Sequence, residues 1–203
     1  MSDWHTLEQA CEARITIHRS RFIAWVIPVR DPAQAANEIA ARSHEFEDAT
    51  HNCYAWVTGF KREQSYYSDA GEPAGTAGKP ILNALLSAGL TNVAATVTRY
   101  YGGVKLGVRG LIEAYSQSVE EALKTASLVP AIPMSTIWIT SDYSDAESAQ
   151  RLVQKLGGGV VDIRYEARVE TILSLPERSL PEFCEFLDGR GRQNGLVYRL
   201  KEQ

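Results

Sequence analysis

The sequence predicts an α+β protein of two unequal domains, and three observations predict it. Its 203 residues exceed one ordinary domain and suffice for two, each able to bury its own core. Runs with the two-residue period of a strand alternate with runs at the helical period along the whole chain. The segment Val129-Pro130-Ala131-Ile132-Pro133 sets two prolines between the longest helical stripe and a fresh strand-like run, which places the domains at 1–132 and 133–203.

The first domain opens on a hairpin, Ile15 to His18 and Phe22 to Ile27, around the basic turn His18-Arg19-Ser20-Arg21. Asp31 is placed to cap a helix that starts at Pro32 and carries Ala36, Ile39, Ala40 and Phe46 near the helical period. Cys53 to Val57 and Ser65 to Tyr67, rich in aromatic and β-branched residues, read as strands on either side of Lys61, Arg62 and Glu63. From Ser68 to Lys79 the glycines at 71, 75 and 78 and Pro73 rule out a regular element, so a long loop feeds the helix that begins near Pro80 with Ile81, Leu82, Leu85 and Leu86. Val93 to Thr98 is a nearly unbroken β-branched and alanine run, as a buried central strand requires, and it ends at Arg99-Tyr100-Tyr101-Gly102-Gly103. Val108, Leu111, Ile112, Tyr115, Val119, Ala122 and Leu123 then mark the apolar stripe of a helix of about five turns.

In the second domain Ser135 to Thr140 reads as a strand. Ser144 with Glu147 forms a capping box for a helix bearing Ala149, Leu152, Val153 and Leu156, which Gly157 to Gly159 stop. Val160 to Tyr165 and Arg168 to Leu173 are strands, Ser179 with Glu182 caps a helix carrying Phe183, Phe186 and Leu187, and Leu196 to Leu200 closes the unit. This βαββαβ order is that of a ferredoxin-like fold.

Composition narrows the function classes. With 44% hydrophobic and 23% charged residues the chain is globular, and no apolar run approaches the roughly 20 residues that span a bilayer. Met1 to Cys11 lacks the basic start and apolar core of a signal peptide, so a cytoplasmic protein is expected. Cys11, Cys53 and Cys184 are odd in number and widely spaced, which argues against a disulfide framework and a structural zinc site. A net charge of −4 means that any contact with RNA must come from a local patch.

Two stretches offer such a patch. Gly71-Glu-Pro-Ala-Gly-Thr-Ala-Gly78-Lys79-Pro80 imitates a phosphate loop, but Pro73 and Pro80 stand where that motif needs Gly and a hydroxyl residue. What survives is a general anion site made of Gly75, Thr76, Gly78 and Lys79 at a helix N-terminus. Arg99, Tyr100, Tyr101, Lys105 and Arg109 combine three cations with aromatic rings on a glycine-rich loop, which suits stacked bases and phosphates or an acidic protein surface. His51 and Cys53 share a strand face near Asp69, so a Cys-His nucleophile is conceivable. Two residues apart on one strand their side chains stand about 6 to 7 Å apart, too far for a direct hydrogen bond. A metal site built from His51, Cys53, Asp69 and Glu72 would mix soft and hard ligands without regular spacing, and no metal or other cofactor is expected.

Taken together, His18-Arg-Ser-Arg-Phe-Ile23, His51-Asn-Cys-Tyr-Ala-Trp56, the string from Ser68 to Leu82 and Arg99-Tyr-Tyr-Gly-Gly-Val-Lys-Leu-Gly107 resemble the YigZ/IMPACT family. The resemblance covers most of residues 15 to 120. It implies a first domain similar to the second domain of small-subunit ribosomal protein five and to domain four of elongation factor G, and a second domain like that factor's last one. Eukaryotic relatives are associated with restraining a stress-activated kinase of translation initiation, and no reaction comes with the family. Arg109 stands where the family pattern favours a small residue, which makes this loop more basic. The expectation is a non-enzymatic translation regulator or accessory factor whose partner is RNA, the ribosome or a translation factor. The alternative is a small hydrolase or transferase that uses Cys53, His51 and Asp69 with the anion loop as its cradle.

Overall fold

The structure, a computed structural model, describes residues 4–200. These form a mixed α/β protein with five α-helices and three antiparallel sheets, divided into two compact units between Ala131 and Ile132.

The first unit is built on a five-stranded antiparallel sheet in the order β2-β3-β6-β4-β5. Its strands are β2 (Cys11–Ile17), β3 (Ser20–Pro28), β4 (His51–Thr58), β5 (Gln64–Ser68) and β6 (Val93–Tyr100). The apolar run of β6 puts it at the centre, where both faces are covered. On one face α2 (Gly78–Ser87) and α3 (Gly107–Leu123) bury Ile81, Leu85, Leu111 and Tyr115 against Phe22, Ala24, Val26, Cys53, Ala55 and Val97. On the other, α1 (Pro32–Glu45) sets Ala35 and Ile39 on Val29 and Ala94. Asp31 caps α1 as its sequence requires, accepting a hydrogen bond from Gln34 N at 2.7 Å.

Two elements of this unit have no counterpart in the sequence reading. The short strands β1 (His5–Leu7) and β7 (Leu128–Pro130) pair antiparallel, so Val129 and Pro130, the start of the segment read as a proline break, end a strand, and the chain leaves regular structure only over 131–133.

The second unit runs β8 (Met134–Ser141), α4 (Tyr143–Lys155), β9 (Gly159–Tyr165), β10 (Val169–Pro176), α5 (Leu180–Asn194) and β11 (Val197–Leu200), with sheet order β11-β8-β10-β9. Ile137, Ile139, Leu173, Leu175, Phe183 and Leu187 fill its core. Both expected capping boxes are replaced. Asp142 caps α4 by accepting from Asp145 N, which leaves Ser144 inside the helix, and Ser179 turns its hydroxyl to Leu156 O instead of to its own helix. Among the described residues no helix is long and apolar enough to cross a membrane.

Candidate functional site

Strand alternation decides where the first set of polar residues points. Ala95, Val97 and Arg99 lie on the core-facing side of β6, so Arg99 follows two buried apolar residues inward. Its guanidinium meets Glu72, carried over the sheet end by the loop after β5: Arg99 Nη1 donates to Glu72 Oε1 at 2.6 Å. Neither side chain is more than 6% exposed. Arg99 Nη2 donates to Ser20 Oγ at 3.3 Å, and that oxygen also accepts from Gly102 N at 3.2 Å. Phe22 and Tyr101 flank the guanidinium, each ring centroid 5.4 Å away. This corrects the surface reading of Arg99, because the acid that pairs it lies 27 residues away in sequence.

The second oxygen partner of Glu72 comes from α3. Tyr115, fully buried, donates its hydroxyl to Glu72 Oε1 at 2.8 Å. Cys53 Sγ lies 2.9 Å from Asp69 O and 3.4 Å from the Tyr115 hydroxyl, and its single proton serves one of them at a time. Burial, with Glu72 and Asp69 close by, pushes the Cys53 thiol up to about 12 despite the Tyr115 hydroxyl and Arg99. Burial first, and then Cys53 and Glu72, also push the Tyr115 phenol upward. His51 turns Nδ1 to Ala70 O at 2.9 Å and holds Nε2 4.0 Å from Glu72 Oε2. The Cys53, His51 and Asp69 set therefore does not form a nucleophile. The thiol is protonated at neutral pH, and no contact joins it to His51.

The glycine loop also has an internal occupant. Asp69 accepts from Gly75 N at 2.8 Å, Ala77 N at 3.0 Å and Gly78 N at 2.9 Å. Burial alone would raise this carboxyl, but the three N–H donors outweigh it and hold the group below its ordinary value. The anion site read at Gly75, Thr76, Gly78 and Lys79 is thus filled by the protein's own carboxylate. Thr76 is likewise committed, donating its hydroxyl to Pro73 O at 2.6 Å. Gly78 has a separate reason to lack a side chain, since a Cβ there would stand 2.6 Å from the Ser68 backbone. Among the described residues no group of three His, Cys, Asp or Glu side chains could hold a metal ion.

The remaining predicted residues face outward. Tyr100 lies under the Arg21 guanidinium and donates to Asp48 Oδ1 at 2.7 Å. Tyr101, Lys105 and Arg109 are exposed, as is Lys79 in the first turn of α2. Arg109 pairs with Glu113 one turn along α3, at 2.8 Å. Sequence reasoning missed the apolar company of these cations. Val104, Val108 and Ile112, at a spacing of four, are all exposed, so Val108 and Ile112 leave the core stripe to which the helical period assigned them.

The Impact N-terminal domain profile matches residues 18–123, which contain this network and the face beside it. The chain belongs to the IMPACT family. Its relatives include the Escherichia coli K12 IMPACT family member YigZ, 34% identical over 92% of both chains. IMPACT family member YvyE of Bacillus subtilis is 33% identical over 92% of this chain and 86% of its own. The mouse Protein IMPACT matches 46% of this chain at 34% identity, over 30% of its own length. A crystal structure described as that of a hypothetical protein superposes with a TM-score of 0.70 at 31% identity, covering 98% of each chain. Residues 139–192 match a second profile, a domain of unknown function.

Proposed function

We propose that this IMPACT family protein is a non-enzymatic accessory factor of translation, which touches ribosomal RNA through the exposed face of residues 101–112. One contrast carries the reading. The groups equipped for chemistry are already engaged, Glu72, Cys53 and Tyr115 with one another and the Asp69 carboxylate with the N–H groups of its own loop, while Tyr101, Val104, Lys105, Val108, Arg109 and Ile112 are directed toward solvent. Two cations beside an exposed tyrosine and aliphatic side chains suit a phosphate backbone and an unstacked base. Arg99 serves this face from beneath: it flanks the Tyr101 ring and, through Ser20, fixes the chain at Gly102. A contact of this kind belongs to the cytoplasm.

The second unit supports the same field. Its βαββαβ order, with the sheet strands arranged β11-β8-β10-β9 and both helices packed on one core, favours the ferredoxin-like reading.

Co-sedimentation with ribosomes across a salt series tests the proposal, run beside a Lys105→Glu, Arg109→Glu double variant. Both residues are exposed, so the variant keeps its fold. Wild type is expected in the pellet at low salt and released as salt rises, while the variant stays in solution. Equal pelleting of the two, or none by wild type at any salt, would overturn the reading.

A further inference from the structure

Sheet edges in folded proteins carry features that keep other strands away. Most edges among the described residues obey this. β2 presents Glu12 and the largely exposed Arg14, β9 carries Asp162, Arg164 and a register shift opposite Ile172 and Leu173, and β11 carries Arg199. β1 and β7 are three residues each, and β7 ends in Pro130. β5 is different. Gln64–Ser68 has no charge and no proline, keeps unbroken register with β4 from Gln64 to Ser68, and is paired on one side alone.

The side chains at this edge are also unusual. Tyr66 is 54% exposed and Tyr67 41%. Tyr66 stacks on Trp56 of the neighbouring strand, with ring centroids 6.3 Å apart, and leans on Tyr54 at 6.2 Å. An aromatic row thus runs across the sheet to its open side and stops at Tyr66.

We propose that β5 is the pairing edge for a second copy of this chain, the two β5 strands lying antiparallel about a two-fold axis with Tyr66 facing Tyr66. An axis perpendicular to the sheet keeps each face continuous, so a residue can oppose only one that points to the same face. Centred on Tyr66, the pairing sets Ser65 against Tyr67 and Gln64 against Ser68. No charge stands among the five paired residues, the Asp69 that follows them opposite Glu63 is turned into its own loop, the Gln64 amide reaches a hydroxyl, and the Trp56–Tyr66 row continues into the second copy. An identical strand supplies the same length of unpaired N–H and C=O groups that this edge leaves open. Pairing over five residues buries less than a standard interface, so the association is weak, with a dissociation constant on the order of 10 to 100 μM.

This inference is independent of the ribosome reading. Sedimentation equilibrium of the full chain from about 5 to about 500 μM tests it, beside Ser65→Lys, which places a charge on the exposed edge without touching the core. Wild type is expected to pass from monomer to dimer mass and Ser65→Lys to stay monomeric. Mild oxidation tests the register. Tyr66→Cys is expected to form a 66–66 intermolecular disulfide, whereas Ser65→Cys forms no 65–65 bridge, because its equivalents stand beyond the roughly 7 Å limit for a disulfide. A chain that stays monomeric throughout overturns the proposal, as does a dimer that survives Ser65→Lys and gives no 66–66 bridge.

Discussion

Arg99 and Glu72 form a buried ion pair 2.6 Å long between the end of a central strand and the middle of a loop. The pair fixes the loop, because Glu72 also receives Tyr115 from α3, and it fixes the Gly102 turn through Ser20.

Breaking one half of such a pair strands the other in a buried setting, at a cost of about 3 to 5 kcal/mol. Arg99→Ala and Glu72→Ala are each expected to lower stability by that order, and the double variant by less than the sum. Urea denaturation of the three variants checks this as a double-mutant cycle. A strictly additive result would mean that the pair is not coupled.

Cys53 should be inert in the native state. With its thiol held near 12, alkylation at neutral pH is expected at Cys11 and Cys184, both partly exposed, well before Cys53. Peptide mapping after a timed exposure to iodoacetamide checks the order, and Cys53 is expected to react only once urea unfolds the chain.

Asp69 makes stability depend on acid. Its carboxyl is depressed in the folded state, so its contribution is complete above the ordinary carboxylate range and is lost as pH falls through the lower folded value. Asp69→Asn is expected to cost about 1 to 3 kcal/mol at neutral pH, the worth of charge-assisted hydrogen bonds. Its stability should also fall less steeply than wild type as pH drops below about 5. Denaturation midpoints measured down through that range give both numbers.

Glycines give a graded test of backbone approach. A Cβ at Gly102 would lie 2.1 Å from the Arg19 backbone, whereas one at Gly159 meets nothing within 4 Å. Gly102→Ala is expected to lower the melting temperature by about 10 °C or more, since main chain must move, and Gly159→Ala to leave it nearly unchanged. Differential scanning calorimetry separates the two.

Much of this fold was legible because long elements carry their period openly: β6 as an apolar run, α3 as a stripe, α1 by Asp31 and Pro32. β1 and β7 were not, since three residues show no period and Pro130 at a strand end looks like a break. The site was legible in its residue types and not in its pairings. Arg99, Glu72, Tyr115 and Cys53 are brought together by the sheet and α3 from distant parts of the chain. One signal was available for Arg99, namely that strand alternation from Ala95 and Val97 points it inward. For Asp69 there was none, because a carboxylate that fills its own loop and a loop that awaits an anion are written with the same glycines.

The pairing of β1 with β7 bears on how the first unit withstands tension. His5 faces Pro130 and Leu7 faces Leu128, so the two ends leave the ladder on the same side. A pull applied through those ends would part β1 from β7 pair by pair, from His5 and Pro130 toward Leu7 and Leu128, as a zipper opens, while His5 stays tied on its other side to Gly89 and Thr91.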